Sequence, residues 1–339
     1  MRPVLPAALL AILLAACASP PKAPPAAAPA PAPAVTVPPP KIGLALGGGA
    51  AKGFAHIGVI KMLEANGIQP AVVAGTSAGS VVGALYAGGM DAYALQQKAV
   101  ALDEGSIRDV SLFSGGLVKG QKLQDYVNAQ LGNRTFAQLK KPFAAVATRL
   151  EDGQRTVFVR GNVGQAVRAS SAIPGVFEAV TIDKFHYVDG GVVSPVPVDA
   201  ARELGADIVI AVDISTRPSG AADASSLLGN VNRSIAIMGQ KLGAAELARA
   251  DVVIRPAVND IGPADFEQRS RAILEGERAA QAALPQIRAK LAAVQAQRLA
   301  QARADADARA AQQRAAERKA RCAQQRGWLD KWRRDPDCR

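Results

Sequence analysis

Histidine and cysteine are scarce. His56 and His186, with Cys17, Cys322 and Cys338, are the only such residues among 339. They form no C-x-x-C pair and no His/Cys cluster, which excludes a zinc site of the usual kind. No metal and no cofactor is expected. The same shortage leaves little material for a histidine-based catalytic triad. Acidic residues are also in deficit, with 29 Asp/Glu against 40 Lys/Arg and a formal net charge of +11. A membrane-spanning run is missing: the apolar stretch VLPAALLAILLAA, behind Arg2, is too short to cross a bilayer comfortably and is flanked like a secretory signal. At 49% hydrophobic residues the chain still has ample material for one large globular core.

The two ends differ from the middle. Residues 1–16 read as a signal peptide ending in LAAC, Leu14 to Cys17. That box resembles the bacterial lipoprotein cleavage site, which implies lipidation of Cys17 as the new N-terminus; an ordinary signal peptide with an incidental cysteine is the plainer alternative. Ala18 stands where an inner-membrane-retained lipoprotein commonly has aspartate, so the expected place is the cell envelope, on the outer membrane facing the periplasm. Residues 18–40 are almost wholly Pro, Ala and Val, a composition that makes an extended spacer rather than a core. At about 3.1 Å per residue it would reach roughly 70 Å. From about Gln286 to the end, strong helix formers take over, with 14 Lys/Arg against 6 Asp/Glu. This basic tail, residues 286–339, suits a solvated helix or an acidic surface. Its partner is unknown, and nucleic acid is not expected. In an oxidising compartment Cys322 and Cys338 are able to pair.

Residues 41–285 form the expected main domain. KIGLAL reads as a strand from Ile42 to Leu46, followed by a glycine turn and a helix ending near Asn66-Gly67. PAVVAG is a second buried strand, completing a βαβ unit with a parallel sheet. KPFAAVATRL, RTVFVR and FHYVDGG read as strands, AVRASSAIP as a helix stopped by Pro174, and ELGADIVIAVDIS as one more buried strand. The alternation predicts an α/β fold with a mostly parallel central sheet. The segment from Asp103 to Leu139 is the least regular and reads as a cap or a surface excursion.

GTSAG, residues 75–79, places Ser77 between Gly75 and Gly79 at the end of the second strand. Such a G-x-S-x-G turn exposes the serine hydroxyl at a strand-to-helix elbow, although Gly and Ser also populate ordinary turns. The upstream LGGGAAKG loop strengthens the nucleophile reading, because a glycine turn opening a helix presents N–H groups to an anion. Two nucleotide patterns fail there. Lys52 is followed by Gly53 and Phe54 rather than by Ser/Thr, and G-x-G-x-x-G breaks at Lys52 or at Ala50. A serine nucleophile needs a base. His56 falls inside the predicted helix, where a packing role fits as well; His186 is open as a triad member or a half-buried strand residue; Asp189, in YVDGG, is open as a base or as a turn initiator.

LALGGGAAKGFAHIGVIKMLE, VVAGTSAGSVVGALYA, RASSAIPGVFEAV and YVDGGVVSPVPVDAARELGAD resemble, in order, the blocks of the bacterial patatin-like phospholipase family. The resemblance covers most of residues 41–215. It implies a patatin-like three-layer fold and a Ser-Asp dyad, with Ser77 as nucleophile and Asp189 as general base. It also implies an oxyanion hole from the N–H groups of Gly48, Gly49 and Ala50, with Lys52, Gly75, Gly79, Gly190 and Gly191 in supporting positions. Ala50 departs from the glycine many members carry there, which is harmless provided its φ is negative. The activity implied is hydrolysis of phospholipid or lysophospholipid acyl esters; with an unperturbed aspartate as a weak base, most of the rate is expected from geometry and the loop's stabilisation of the oxyanion. The other reading is a catalytically silent envelope lipoprotein that binds a partner through its basic C-terminal helix.

Overall fold

Short runs of Val, Ile and Ala form the centre of the protein, because small and β-branched side chains fit a sheet buried on both faces. In the computed structural model the described residues are 35–103, 105, 109, 118–217 and 227–324; Cys17 and Cys338 lie outside them. The folded unit begins at Val37. Strands β1 (Ile42–Leu46), β2 (Val72–Thr76), β3 (Phe143–Arg149), β7 (Ile208–Val212) and β8 (Val252–Ile254) run parallel in the order β3-β2-β1-β7-β8. Beyond them β3 pairs antiparallel with β4 (Arg155–Phe158) and β6 (Phe185–Asp189), and β5 (Val180–Ile182) pairs with β6.

Helices cover both faces, giving the three layers. On one side Leu44, Leu46 and Val73 of the sheet meet α1 (Ala55–Ala65), α2 (Ala78–Ala87), α3 (Ala92–Val100), α4 (Gln121–Gln130) and α5 (Val163–Ser170). On the other, Ala45, Ala74 and Val209 meet α6 (Val198–Glu203) and the end of α7 (Leu227–Leu247). One sequence expectation is corrected here. AVRASSAIP is not helical up to Pro174: α5 stops at Ser170, since a proline ring crowds the carbonyl four residues before it and the residue before a proline resists the helical conformation. The segment 103–139 is partly regular, containing α4 and a 3-10 turn at Phe136–Gln138, while 104, 106–108 and 110–117 lie outside the described residues.

The long α8 (Arg269–Gln324) begins well before the change of composition at Gln286 and passes through Pro285 without ending. Its first half is core. Ile273, Leu284 and Ile287 are buried, and α8 crosses α1 at two glycines where backbones touch. A Cβ on Gly276 would lie 2.0 Å from the Ala55 carbonyl oxygen, and one on Gly58 would lie 1.9 Å from that of Ile273. Further along, Lys290 pairs with Asp251 at 2.9 Å and Arg298 with Asp207. Past that point the helix is almost wholly exposed; Cys322, near its end, is disulfide-bonded.

Truncation separates the two parts of α8. A chain ending after residue 299 should keep the full-length melting temperature. One ending after residue 285 loses the fully buried Ile287, worth about 1.5–3 kcal/mol, and should melt several degrees lower in a calorimetric scan. Equal melting of all three would contradict the packing seen at Ile287.

Candidate active site

Parallel strands leave their C-terminal ends on one edge, and open α/β sheets bind ligands there. Ser77 follows β2 on that edge as the N-cap of α2, with φ 54 and ψ −125. A non-glycine residue in such a conformation costs about 1–3 kcal/mol and persists only where its surroundings over-determine it. They do. The Ser77 N–H donates to Ser170 Oγ at 3.0 Å, and Ser170 Oγ donates to the Val146 carbonyl at 2.6 Å. The Ser77 carbonyl accepts from the Ser80 N–H at 2.8 Å and the Ser80 hydroxyl at 2.6 Å. The flanking glycines are required by close approach. A Cβ on Gly75 would lie 2.4 Å from the Gly79 carbonyl oxygen, and one on Gly79 would lie 2.1 Å from that of Leu46.

Strand register brings Asp189 to this serine from a distance of more than a hundred residues. Thr76 pairs with Val146 on β3, and the next β3 residue, Ala147, pairs with Asp189 at the end of β6. Asp189 as a residue is 7% exposed. It accepts from the Gly191 N–H at 2.7 Å and interacts with the Ser77 hydroxyl. Burial pushes its pKa up to about 6, with the Ser77 hydroxyl and then the Gly191 N–H opposing the rise. The expectation of an unperturbed carboxylate is thereby corrected: desolvation without a cationic partner makes Asp189 a stronger base than a free aspartate.

The glycine loop lies against the elbow, and a Cβ on Gly48 would be 3.2 Å from the Ser77 Cβ. Its N–H groups are not equivalent. Gly47 donates to Val212 and Gly48 to the Pro195 carbonyl, each at 3.0 Å, so Gly48 is not an available oxyanion donor. Gly49 and Ala50 have N–H groups without a partner among the described residues. So does Ala78, the first residue of α2, which the sequence reading passed over although the residue after an elbow nucleophile commonly supplies a donor. Ala50 does adopt a positive φ, 52°, against the condition set for it from the sequence. Lys52 is buried with its ammonium bonded to Thr216 Oγ1 at 2.6 Å; burial lowers its pKa and Asp213 opposes the change. His56, fully buried, braces the loop through a 2.8 Å bond between Nε2 and the Gly47 carbonyl. Burial pushes its pKa down to about 4, so at neutral pH it is an uncharged donor to that carbonyl.

His186 takes no part. Its ring is exposed and bonds Glu151 through Nδ1 at 2.8 Å, three strand positions from Asp189 and so on the opposite face, which removes the histidine triad. Gly190 lies under the site, where a Cβ would meet the Val146 carbonyl oxygen at 2.1 Å, and Gly191 supplies the N–H already described. Among the described residues no group of three His, Cys, Asp or Glu could hold a metal ion, and no helix is long and apolar enough to cross a membrane.

A serine on a strand-to-helix elbow, beside a buried carboxylate and unpartnered N–H groups, is the layout of a serine-hydrolase site on an α/β sheet. Residues 44–202 match the family model described as patatin-like phospholipase. An uncharacterized NTE family protein of Mycobacterium tuberculosis is 37% identical over 189 residues, covering 54% of this chain and 51% of that one. Lysophospholipase nte1 of Aspergillus fumigatus is 32% identical over 181 residues, 52% of this chain and 12% of its own. The chain spans about half the length of the curated mycobacterial relatives it matches. Among solved structures, VipD from Legionella pneumophila superposes with a TM-score of 0.54 at 15% identity, over 73% of this chain and 67% of that one, a likeness of fold.

The raised pKa of Asp189 has a sign that melting can read. The native state holds this proton more tightly than the unfolded chain, whose value is 3.8, so stability falls as pH rises from there through about 6. Asp189→Asn should therefore stabilise the fold above about pH 7, by on the order of 3 kcal/mol and read as a higher melting temperature, and the gain should vanish toward pH 4. An Asn variant that melts below the wild type across the whole range would show that the carboxylate is better compensated than its surroundings indicate.

Proposed function

We propose that this protein is a serine acyl-ester hydrolase of the phospholipase A or lysophospholipase type, working through a Ser77-Asp189 dyad. The observation that carries the reading is the strained Ser77 elbow beside a buried Asp189 that has no cationic partner among the described residues. Asp189 takes the proton from Ser77 Oγ as the oxygen attacks the ester carbonyl carbon. The carbonyl oxygen becomes an oxyanion, and the N–H groups of Gly49, Ala50 and Ala78 are the donors on hand for it. As the tetrahedral adduct collapses, the protonated Asp189 returns its proton to the departing alcohol and leaves an acyl-Ser77 ester. Water, deprotonated by Asp189, attacks that ester; its proton returns to Ser77 as the fatty acid leaves. The substrate class, phospholipid or lysophospholipid, rests on the family and on the lysophospholipase relative. The exposed side chains of Ile237, Met238 and Leu242 on α7 suit work beside lipid.

We further propose that the enzyme acts at the cell envelope, tethered through a lipidated Cys17 and the proline-rich spacer. The LAAC box supports this, and the basic tail is left for a partner of its own. Intact-mass measurement of detergent-extracted protein should give a diacylglyceryl-type addition at Cys17 that Cys17→Ala abolishes; an unmodified, freely soluble product would refute the tether.

On chromogenic acyl esters and on lysophospholipid, Ser77→Ala and Asp189→Asn should each lower kcat/KM by about 10,000-fold. For the wild type, kcat/KM should rise with pH through an apparent pKa of about 6, because the base must be ionised. Activity surviving both substitutions would sink the hydrolase reading and favour the silent, partner-binding one.

A further inference from the structure

The reaction uses neither Ser194 nor Glu246, yet the three residues Ser194–Val196 touch every part of the site. The Ser194 N–H donates to the Gly190 carbonyl at 2.7 Å, closing the turn that carries Asp189. The Ser194 carbonyl accepts the Thr76 hydroxyl at 2.9 Å, next to the nucleophile. The Pro195 carbonyl accepts the Gly48 N–H at 3.0 Å, and a Cβ on Gly47 would meet Val196 Cγ2 at 3.1 Å. Base, nucleophile and oxyanion loop are thus registered on one short segment. That segment is held from behind by a single side chain. Glu246 of α7, 6% exposed, accepts the Ser194 hydroxyl on Oε1 at 2.5 Å and the Val196 N–H on Oε2 at 2.8 Å.

We infer that Glu246 is a positioning residue for the proposed esterase, a carboxylate latch that sets the distance between the Ser77-Asp189 pair and the glycine loop. The inference rests on that reading of the function. A glutamate buried on the inner side of a helix is costly without compensation, and here both oxygens are compensated by the same three-residue segment rather than by a cation. The charged groups nearest to it are Asp199 on α6 and Arg249 just past α7, which bond each other at 2.7–2.8 Å and so largely cancel. Burial pushes the Glu246 pKa up to about 7, with the Ser194 and Val196 hydrogen bonds opposing, Asp199 adding to the rise and Arg249 resisting it. A protonated Glu246 has one oxygen fewer to accept with, so the latch loosens as pH falls below neutral. The site would then carry two ionisations that both favour high pH: the base itself, and the latch that aims it.

The test compares Glu246→Gln and Glu246→Ala with wild type on a soluble chromogenic ester, with melting curves to show that each is folded. A misplacement of about 1 Å can cost on the order of 100-fold in rate. Glu246→Ala should lower kcat by about that factor with KM changed little, and Glu246→Gln by about tenfold. The wild-type kcat profile should show a limb near pH 7 that Glu246→Gln lacks while the limb near 6 persists. Should Glu246→Ala fail to fold, Ser194→Ala, which removes one contact and leaves the carboxylate, is expected to lower kcat by about tenfold. A folded variant with wild-type kcat and an unchanged pH profile overturns the latch. A wild type that hydrolyses no ester overturns the esterase reading itself, and the latch with it.

Discussion

The backbone of Ser77 sits in a conformation that an L-residue avoids, and the site is arranged around keeping it there. With φ 54 the residue turns the chain from β2 into α2 in one step, so the hydroxyl stands at the sheet edge instead of facing a strand neighbour. Holding that turn requires its amide and carbonyl to be satisfied, which Ser170 and Ser80 do, and requires two backbones to come within contact of it, which only glycine at 75 and 79 allows. The strain is local. Its compensation is distributed over β3, α5 and the glycine loop, so that disturbing any of these disturbs the serine.

A second tension follows from the placement of Asp189. Were a lysine or arginine beside it, the carboxylate would be comfortable and weakly basic. The chain has a surplus of cations, but Lys52 is committed to Thr216, and no lysine or arginine is among the groups that shift Asp189. Among the described residues Asp189 and Glu246 both lack a direct cationic partner, and both ionise less readily than free carboxylic acids. Each lowers stability as pH rises through the range in which its ionised form serves the site. A stability–activity conflict of this kind is expected where a base must be strong and its surroundings dry.

How much of this the letters carried depends on how local each feature is. G-x-S-x-G, the glycine loop and six of the eight strands were legible because turn chemistry and short buried runs are properties of neighbouring residues, whereas β5 and β8, three residues each, were too short to read. Asp189 was open as base or turn former on its own letters, and the family resemblance singled it out; only the β3 register puts it beside Ser77. The engagement of Gly48 with Pro195, the positive φ of Ala50, the upward shift of Asp189 and the grip of Glu246 on Ser194 all arise from pairs or surroundings far apart in sequence. No spacing rule reaches them. The change of composition at Gln286 misleads for a different reason: composition tracks exposure, and α8 passes from buried to exposed without ceasing to be a helix.

The glycine loop shows how preorganisation is built from ordinary bonds. An oxyanion donor is useful only if its N–H is unpartnered beforehand and unable to turn away. Gly47 and Gly48 are tied to Val212 and Pro195, His56 holds the Gly47 carbonyl, and Ala51 donates to Pro263 at 3.2 Å, so the loop is fixed on both sides of Gly49 and Ala50. Those two N–H groups are what remains. The helix leaving the loop, α1, is in turn locked against α8 through the touching backbones at Gly58 and Gly276. An alanine in the left-handed region at position 50 then makes physical sense: glycine would relieve the strain, at about 1 kcal/mol or more, but would also let the peptide swing. Alanine gives the loop fewer places to go.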